Sequence, residues 1–341
     1  MKGLFVEEKF KMYMKEFPEV TDKPDHAVVE IHMCGVCGTD VHSFSGNNAN
    51  TVYPVVIGHE AVGTVLSIGE NDKGIKAGDR VVVEPYHGCG ECFACRQGKY
   101  NCCKNLKTYG VHIDGLMVER ACVPVSKMYK VPEQMTDEQA CMIEPYTIGI
   151  HAAHQAGVKA GDHCLIIGAG AIGLICGMIV KTYGAVPIFF DPVDERLDKA
   201  KEMGFTHVCN NVKEDAVSYL YGLTNGDMPN VIFECSGAKP VLEHIHEYIS
   251  VCGRIVLIGW PHVPYSHFDT ANITRKELMV TGSRNSCQCF PESIRLISEG
   301  KVNTDCFISH IVDMKNAAAA FQDMIDHPGR YMKVLIRIRD K

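Results

Sequence analysis

No stretch of this 341-residue chain approaches the roughly 18–20 consecutive apolar residues that span a bilayer, and no membrane association is expected. Nor is there a basic excess. Lys and Arg number 34 against 41 Asp and Glu, a net charge of −7 with a pI near 6.1, so the counterion displacement that drives nucleic-acid binding is not available. The N-terminus turns acidic at Glu7-Glu8 before the apolar core of a signal peptide is built, which points to the cytoplasm. Repeats, low-complexity tracts and long linkers are all missing. What is present is ordinary for a globular protein, with 46% hydrophobic and 22% charged residues, and the length suits two domains.

The 17 cysteines stand out. An odd count in a long chain for which no leader is expected argues for reduced thiols rather than a disulfide scaffold. Cys164, Cys176, Cys209 and Cys252 sit singly among apolar neighbours and read as small buried hydrophobes. Cys89, Cys92, Cys95, Cys102 and Cys103 instead crowd together. The spacing Cys89-x2-Cys92-x2-Cys95-x7-Cys103 supplies four soft ligands with no open position, as in a closed structural zinc site, an iron–sulfur cluster being the alternative. Cys102 reads as a bystander, although either member of the Cys102-Cys103 pair is a chemically adequate fourth ligand.

Short apolar runs broken by Gly, Pro and Asn fill the first part of the chain. Val28–Ile31, Ala61–Leu66 and Arg80–Val83 read as strands of a β-rich region. Near Glu144 the texture changes. Cys164–Ile167, a helical Ile172–Tyr183, Ile188–Phe190, a helix through Leu197, Ala200 and Met203, Val231–Phe233 and Arg254–Ile258 alternate strand and helix, which predicts a parallel sheet with crossover helices. The chain ends in a strand-like Lys333–Arg337.

Gly168-Ala169-Gly170-Ala171-Ile172-Gly173 follows the first of those strands and opens the first of those helices. Gly168 permits the tight turn, Gly170 the approach of a pyrophosphate, and Gly173 close helix–strand packing. Asp191, where the next strand ends, is placed to accept hydrogen bonds from a ribose diol and to repel a 2′-phosphate. NAD is therefore expected over NADP. Upstream, Cys37 and His59 with a nearby carboxylate make an open N/S/O donor set suited to a catalytic zinc.

Together the Cys37-Gly38-Thr39-Asp40 turn, Gly58-His59-Glu60, the clustered cysteines, Gly78-Asp79-Arg80-Val81 and the glycine loop resemble, in order and nearly end to end, the zinc-dependent medium-chain dehydrogenase family. The resemblance implies an α/β protein with a GroES-like β-rich catalytic domain, here 1–147 and 283–341, and a Rossmann-type coenzyme domain of doubly wound parallel sheet, 148–282. It implies one catalytic and one structural zinc, NAD, a small-molecule substrate, and a dimer or tetramer. Cys37 and His59 become zinc ligands. Glu144 occupies the place of the third ligand, which is cysteine in the alcohol dehydrogenase branch and carboxylate in the sorbitol and sugar-acid branches. Glu60 either ligates the metal or supports it from behind, and Asp40 orients His59. Thr39 and His42 match the family's proton relay, which runs through the coenzyme ribose to solvent. Ala171, Ile172 and Arg196 fall at coenzyme-contacting positions beside the glycine loop and adenosine. Cys235, Ser236, Ile258 and Gly259 border the nicotinamide ribose, with Thr147 and Ile148 beneath the nicotinamide.

Such a protein moves hydride between a carbinol carbon and the coenzyme, with zinc polarising the oxygen. A non-enzymatic zinc-and-nucleotide sensor would need no relay, yet Thr39 and His42 are both there, and a zinc-free quinone reductase would not keep Cys37, His59 and Glu144. Glu144 speaks for polyol-type substrates. Thr281–Ser286 with Gly110-Val111-His112-x2-Gly115 most resembles bacterial oxidoreductases acting on hexonates such as L-galactonate or L-gulonate, and Arg284 is the expected substrate contact, the alternative being a hydroxyl or coenzyme contact. A sorbitol- or L-iditol-type polyol 2-dehydrogenase is the other reading.

Overall fold

The computed structural model describes residues 1–260 and 269–339. The chain divides into two compact units, Met1–Pro145 with Phe290–Lys341, and Tyr146–Cys289. Tyr146, Thr147 and the stretch 283–289 thus pack with the second unit. Thr147 Oγ1 donates to Ser286 Oγ at 2.8 Å inside it, both side chains being buried. None of the described helices is long and apolar enough to cross a membrane.

In the first unit the described residues form a seven-stranded sheet around the long strand His26–Val36. Its neighbours are Glu60–Ile68 on one side and Lys333–Arg337 on the other, with Arg120–Pro124 also pairing along it. Valine and isoleucine fill these strands because β-branched side chains pack well on a pleated, half-buried surface. Val29, Ile31, Val65, Val81 and Ile336 are buried in one core with Leu116, Met117 and Phe321. Register is what matters for the chemistry. Gly35 pairs with Glu60, and Val36 pairs with Val334, so one end of these three central strands gathers Glu60, the approach to Cys37, and Lys333.

The second unit is a six-stranded parallel sheet in the order Val208–Cys209, Val186–Phe190, His163–Ile167, Val231–Glu234, Arg254–Leu257, Met279–Gly282. This is the doubly wound order with its switch point between the third and fourth listed strands, and ligands bind such sheets outside the carboxyl ends of the strands there. The inner strands are buried on both faces, which is why they read as unbroken apolar runs. The expected strand to Ile258 ends one residue sooner. Ile258 and Gly259 leave the ladder and donate their N–H groups to the Glu234 carbonyl, at 2.8 and 2.9 Å.

Candidate metal and coenzyme sites

The four-thiol lobe is small, with a core of little more than Tyr86, Cys92, Cys103 and Leu106. The sulfurs of Cys89, Cys92, Cys95 and Cys103 all lie within 4.8 Å of one another, and those of Cys92 and Cys103 are 3.9 Å apart. A tetrahedron with metal–sulfur bonds of about 2.3 Å requires sulfur separations of roughly 3.8 Å, so the donor set fits a closed zinc site. Backbone N–H groups of Cys89 and Asn105 point at Cys103 Sγ, at 3.2 and 3.3 Å, as they would toward a thiolate. The N–H groups of Cys95 and Lys104 pull the Cys92 thiol down to about 6. Cys102 is exposed and stands outside the group, because the short turn Tyr100–Cys102 carries it outward while Cys103 turns in.

A second group of donors comes from three segments of the first unit. Cys37 is the N-cap of helix Gly38–Ser45, and its N–H donates to Asp40 Oδ2 at 2.9 Å. The other Asp40 oxygen accepts from Gly58 N at 3.0 Å, which fixes the turn that carries His59. Donor atoms of Cys37, His59 and Glu60 lie within 4.8 Å of one another. His59 is buried, and its Nδ1 sits 3.6 Å from Asp40 Oδ1 without a hydrogen-bond partner. Burial pulls the His59 pKa down, but the charges of Asp40 and Cys37 outweigh that and hold it well above the usual imidazole value. A buried ring held cationic between a carboxylate and a thiol is the arrangement a metal would complete. Thiolate, imidazole and carboxylate are a borderline-soft set suited to zinc with an open position.

Glu60 lies against Gly35, where a Cβ would sit 2.0 Å from its Oε2. Its two carboxylate oxygens accept from Lys333 Nζ at 2.7 and 2.8 Å, and Lys333 also donates to the Val36 carbonyl at 3.3 Å. Both side chains are buried. Glu144 is buried too, near the start of helix Ile143–Ala156, and accepts a hydrogen bond from the Tyr86 hydroxyl. Burial pushes its pKa up. It lies outside the three-donor group, so among the described residues the carboxylate gathered with Cys37 and His59 is that of Glu60. Thr39 and His42 lie three residues apart on helix Gly38–Ser45, one half-buried and one exposed. Lys333 and Tyr86 were not anticipated from sequence. A lysine opening a terminal strand carries no signal of burial, and its partner is 273 residues away.

The glycine loop of the second unit is built as a cradle. Gly168 has φ +104°, and a Cβ at Gly173 would lie 1.9 Å from the Gly168 carbonyl oxygen. Gly170 caps helix Ala171–Thr182, and a Cβ there would meet nothing within 4 Å, which leaves room for a phosphate against the helix N-terminus with Ala171 and Ile172 in its first turn. Asp191 is buried at the end of strand Val186–Phe190 and accepts from Ala169 N at 2.8 Å and Val193 N at 2.9 Å. Arg196 Nη1 lies 3.6 Å from Asp191 Oδ2. Cys235 donates its N–H to the Ile167 carbonyl at 2.9 Å. Ser236 comes within 3.3 Å of where a Cβ on Gly168 would stand, so Cys235, Ser236, Ile258 and Gly259 all cluster at the carboxyl ends of the strands with the loop. Exposed Arg284 follows the edge strand Met279–Gly282 at the same end, on a turn where Asn285 and Gln288 have positive φ.

Residues 23–133 match the family model described as the alcohol dehydrogenase GroES-like domain, and residues 171–299 match that of the zinc-binding dehydrogenases. This chain belongs to the zinc-dependent medium-chain alcohol dehydrogenase family. It is similar, at 38% identity over 98% of each chain, to a zinc-type alcohol dehydrogenase-like protein of Haemophilus influenzae. It is 34% identical to a D-xylulose reductase of Saccharomyces cerevisiae, covering 94% of this chain and 92% of that one. A solved alcohol dehydrogenase of Escherichia coli complexed with NADH superposes with a TM-score of 0.91 at 33% identity over 99% of both chains. The family and the cradle agree. The chain is a zinc-dependent, NAD-linked oxidoreductase acting on alcohols.

Proposed function

We propose that this dehydrogenase oxidises a secondary hydroxyl of a sugar acid of the L-galactonate or L-gulonate type to the keto acid. The supporting observation is exposed Arg284 at the carboxyl end of the coenzyme sheet, where a guanidinium can hold a carboxylate in a bidentate pair. The carboxylate of Glu60, gathered with Cys37 and His59 in place of a second catalytic thiolate, suits a hydroxyl-rich substrate, and Glu144 is a further buried carboxylate outside that group. Likeness to a D-xylulose reductase favours the second reading, a polyol 2-dehydrogenase of the sorbitol type.

Cys37, His59 and Glu60 would hold the catalytic zinc, which supplies Lewis acidity that lowers the pKa of a substrate alcohol. Cys89, Cys92, Cys95 and Cys103 would hold the structural one. Asp40 holds the backbone turns that carry Cys37 and His59, and its carboxylate faces the His59 ring at 3.6 Å. Thr39 accepts the substrate proton at its hydroxyl oxygen as it gives up its own hydroxyl proton to the relay, and His42, exposed, takes up the relayed proton at an imidazole nitrogen and releases it to solvent. Glu144, with its raised pKa and its bond from Tyr86, is a further proton-holding group beside the metal ligands. Gly168, Gly170, Gly173 and Asp191 orient the NAD that receives the hydride.

Comparison of kcat/KM for L-gulonate and L-galactonate against sorbitol decides between the readings. The sugar-acid reading expects higher values on the acids, and a selective loss on them of roughly 10-fold or more in Arg284→Lys. Higher efficiency on sorbitol transfers the assignment to the polyol class. For the coenzyme, Asp191→Ala is expected to narrow the preference for NAD over NADP by about 10-fold or more, because the repelling carboxylate is gone and Arg196 beside it can pair with a 2′-phosphate. Initial rates with both coenzymes measure it. Equal use of NADP by the unaltered protein would remove Asp191 from this role.

A further inference from the structure

The second unit buries a carboxylate that the mechanism above does not use. Glu234 ends strand Val231–Glu234 and is 1% exposed. Its Oε1 accepts from Ser236 N at 2.8 Å, from Gly237 N at 2.9 Å and from the Ser236 hydroxyl, and its Oε2 accepts from Gly237 N at 3.1 Å. Its main-chain carbonyl takes the N–H groups of Ile258 and Gly259. One residue thus ties together both turns assigned to the nicotinamide side of the coenzyme. The packing is tight. A Cβ on Gly259 would lie 2.2 Å from Gly237 N and 2.9 Å from Glu234 Oε2.

Every partner of the carboxylate is a donor, the pattern an ionised carboxylate takes. Among the described residues no lysine, arginine or histidine forms an ion pair with it. A buried anion held by dipoles alone leaves its charge to be felt by whatever binds next to it, because low-dielectric surroundings screen it weakly. The nicotinamide ring is cationic in NAD and neutral in NADH.

We propose that Glu234 is a positioning residue that also biases the site toward the oxidised coenzyme, its fixed negative charge favouring the cationic ring over the reduced one. The inference rests on the coenzyme reading given above. Glu234→Gln tests it, since an amide oxygen in place of Oε1 keeps the bonds from Ser236 and Gly237 while the amide nitrogen replaces only the longer contact of Oε2. The Kd of NAD is expected to rise about 10-fold, the order of magnitude for one weakly screened charge, while the Kd of NADH stays within about twofold. Both are read by titration of the purified protein with each coenzyme, without turnover. A merely structural role would weaken both equally, and equal changes or none overturn the proposal. Glu234→Asp covers the case in which the glutamine variant does not fold. It keeps the charge and disturbs the turn, so both Kd values rise with their ratio preserved, and a ratio shifted toward NADH overturns the proposal. An unaltered protein that binds neither coenzyme overturns the coenzyme reading itself, an outcome distinct from an unchanged ratio.

Discussion

Replacing His59 by alanine is expected to lower turnover by about 1,000-fold or more while the far-ultraviolet circular dichroism stays that of the parent. A metal polarising a reacting oxygen supplies several kcal/mol of charge stabilisation, and each decade of rate corresponds to about 1.4 kcal/mol. The fold should survive, because His59 lies at the start of the long strand Glu60–Ile68 and contributes no ladder pair of its own. Of the two donor groups, only the one with Cys37 and Glu60 loses a member. Elemental analysis should therefore show the metal of the four-thiol lobe retained and the other lost. Undiminished zinc in the variant, or turnover within 10-fold of the parent, would exclude His59 as a ligand. The unaltered protein also makes a pH prediction. Metal-free His59 is held protonated by Asp40 and Cys37, so zinc must displace that proton, and its affinity is expected to weaken as the pH falls.

The parts of this molecule legible in the sequence are those specified by near neighbours. Val231-Ile232-Phe233 reads as a buried strand because each residue independently prefers one. The glycine loop is legible because its demands on backbone geometry fall within six residues, and Gly173 lies so close to the Gly168 carbonyl that a Cβ there would have no room. Cys37, His59 and the cysteine group announce themselves by donor type and spacing. Pairings made by sheet register are different. Nothing near Lys333 says that it will be buried, and only the alignment of Val36 with Val334 and of Gly35 with Glu60 brings the two charges together. Cys102 and Cys103 are chemically equal in sequence and separated only by which way a three-residue turn faces. The stretch 283–289 has positive-φ residues at Asn285 and Gln288 that interrupt any periodicity, and its bonds within the second unit include the buried one between Thr147 and Ser286 and that from Ser283 N–H to the Leu257 carbonyl at 2.9 Å.

Lys333 leads to the last expected result. Lys333→Met leaves Glu60 as a buried charge without its cation, and breaking a buried pair from one side costs about 3–5 kcal/mol. Against a typical domain stability of about 5–15 kcal/mol, that is a large fall in the urea midpoint of the first unit. The pH dependence has a definite sign. Burial alone would lower the Lys333 pKa, but Glu60 outweighs it and the pKa is raised. Its contribution is then fully present below the unfolded lysine value near 10.4 and lost only as pH rises through the higher folded value. The deficit of Lys333→Met should accordingly be constant between pH 6 and 9 on the lysine side of the pair, and shrink only in strong alkali. Lys333→Met with Glu60→Leu separates stability from chemistry. Replacing both charges by apolar side chains is close to neutral for folding, so the midpoint should return most of the way to that of the parent. Activity should not return with it, because the carboxylate gathered with Cys37 and His59 is gone. A double variant that regained both would show that Glu60 and Lys333 serve the fold alone, and would leave Glu144 as the carboxylate for the metal.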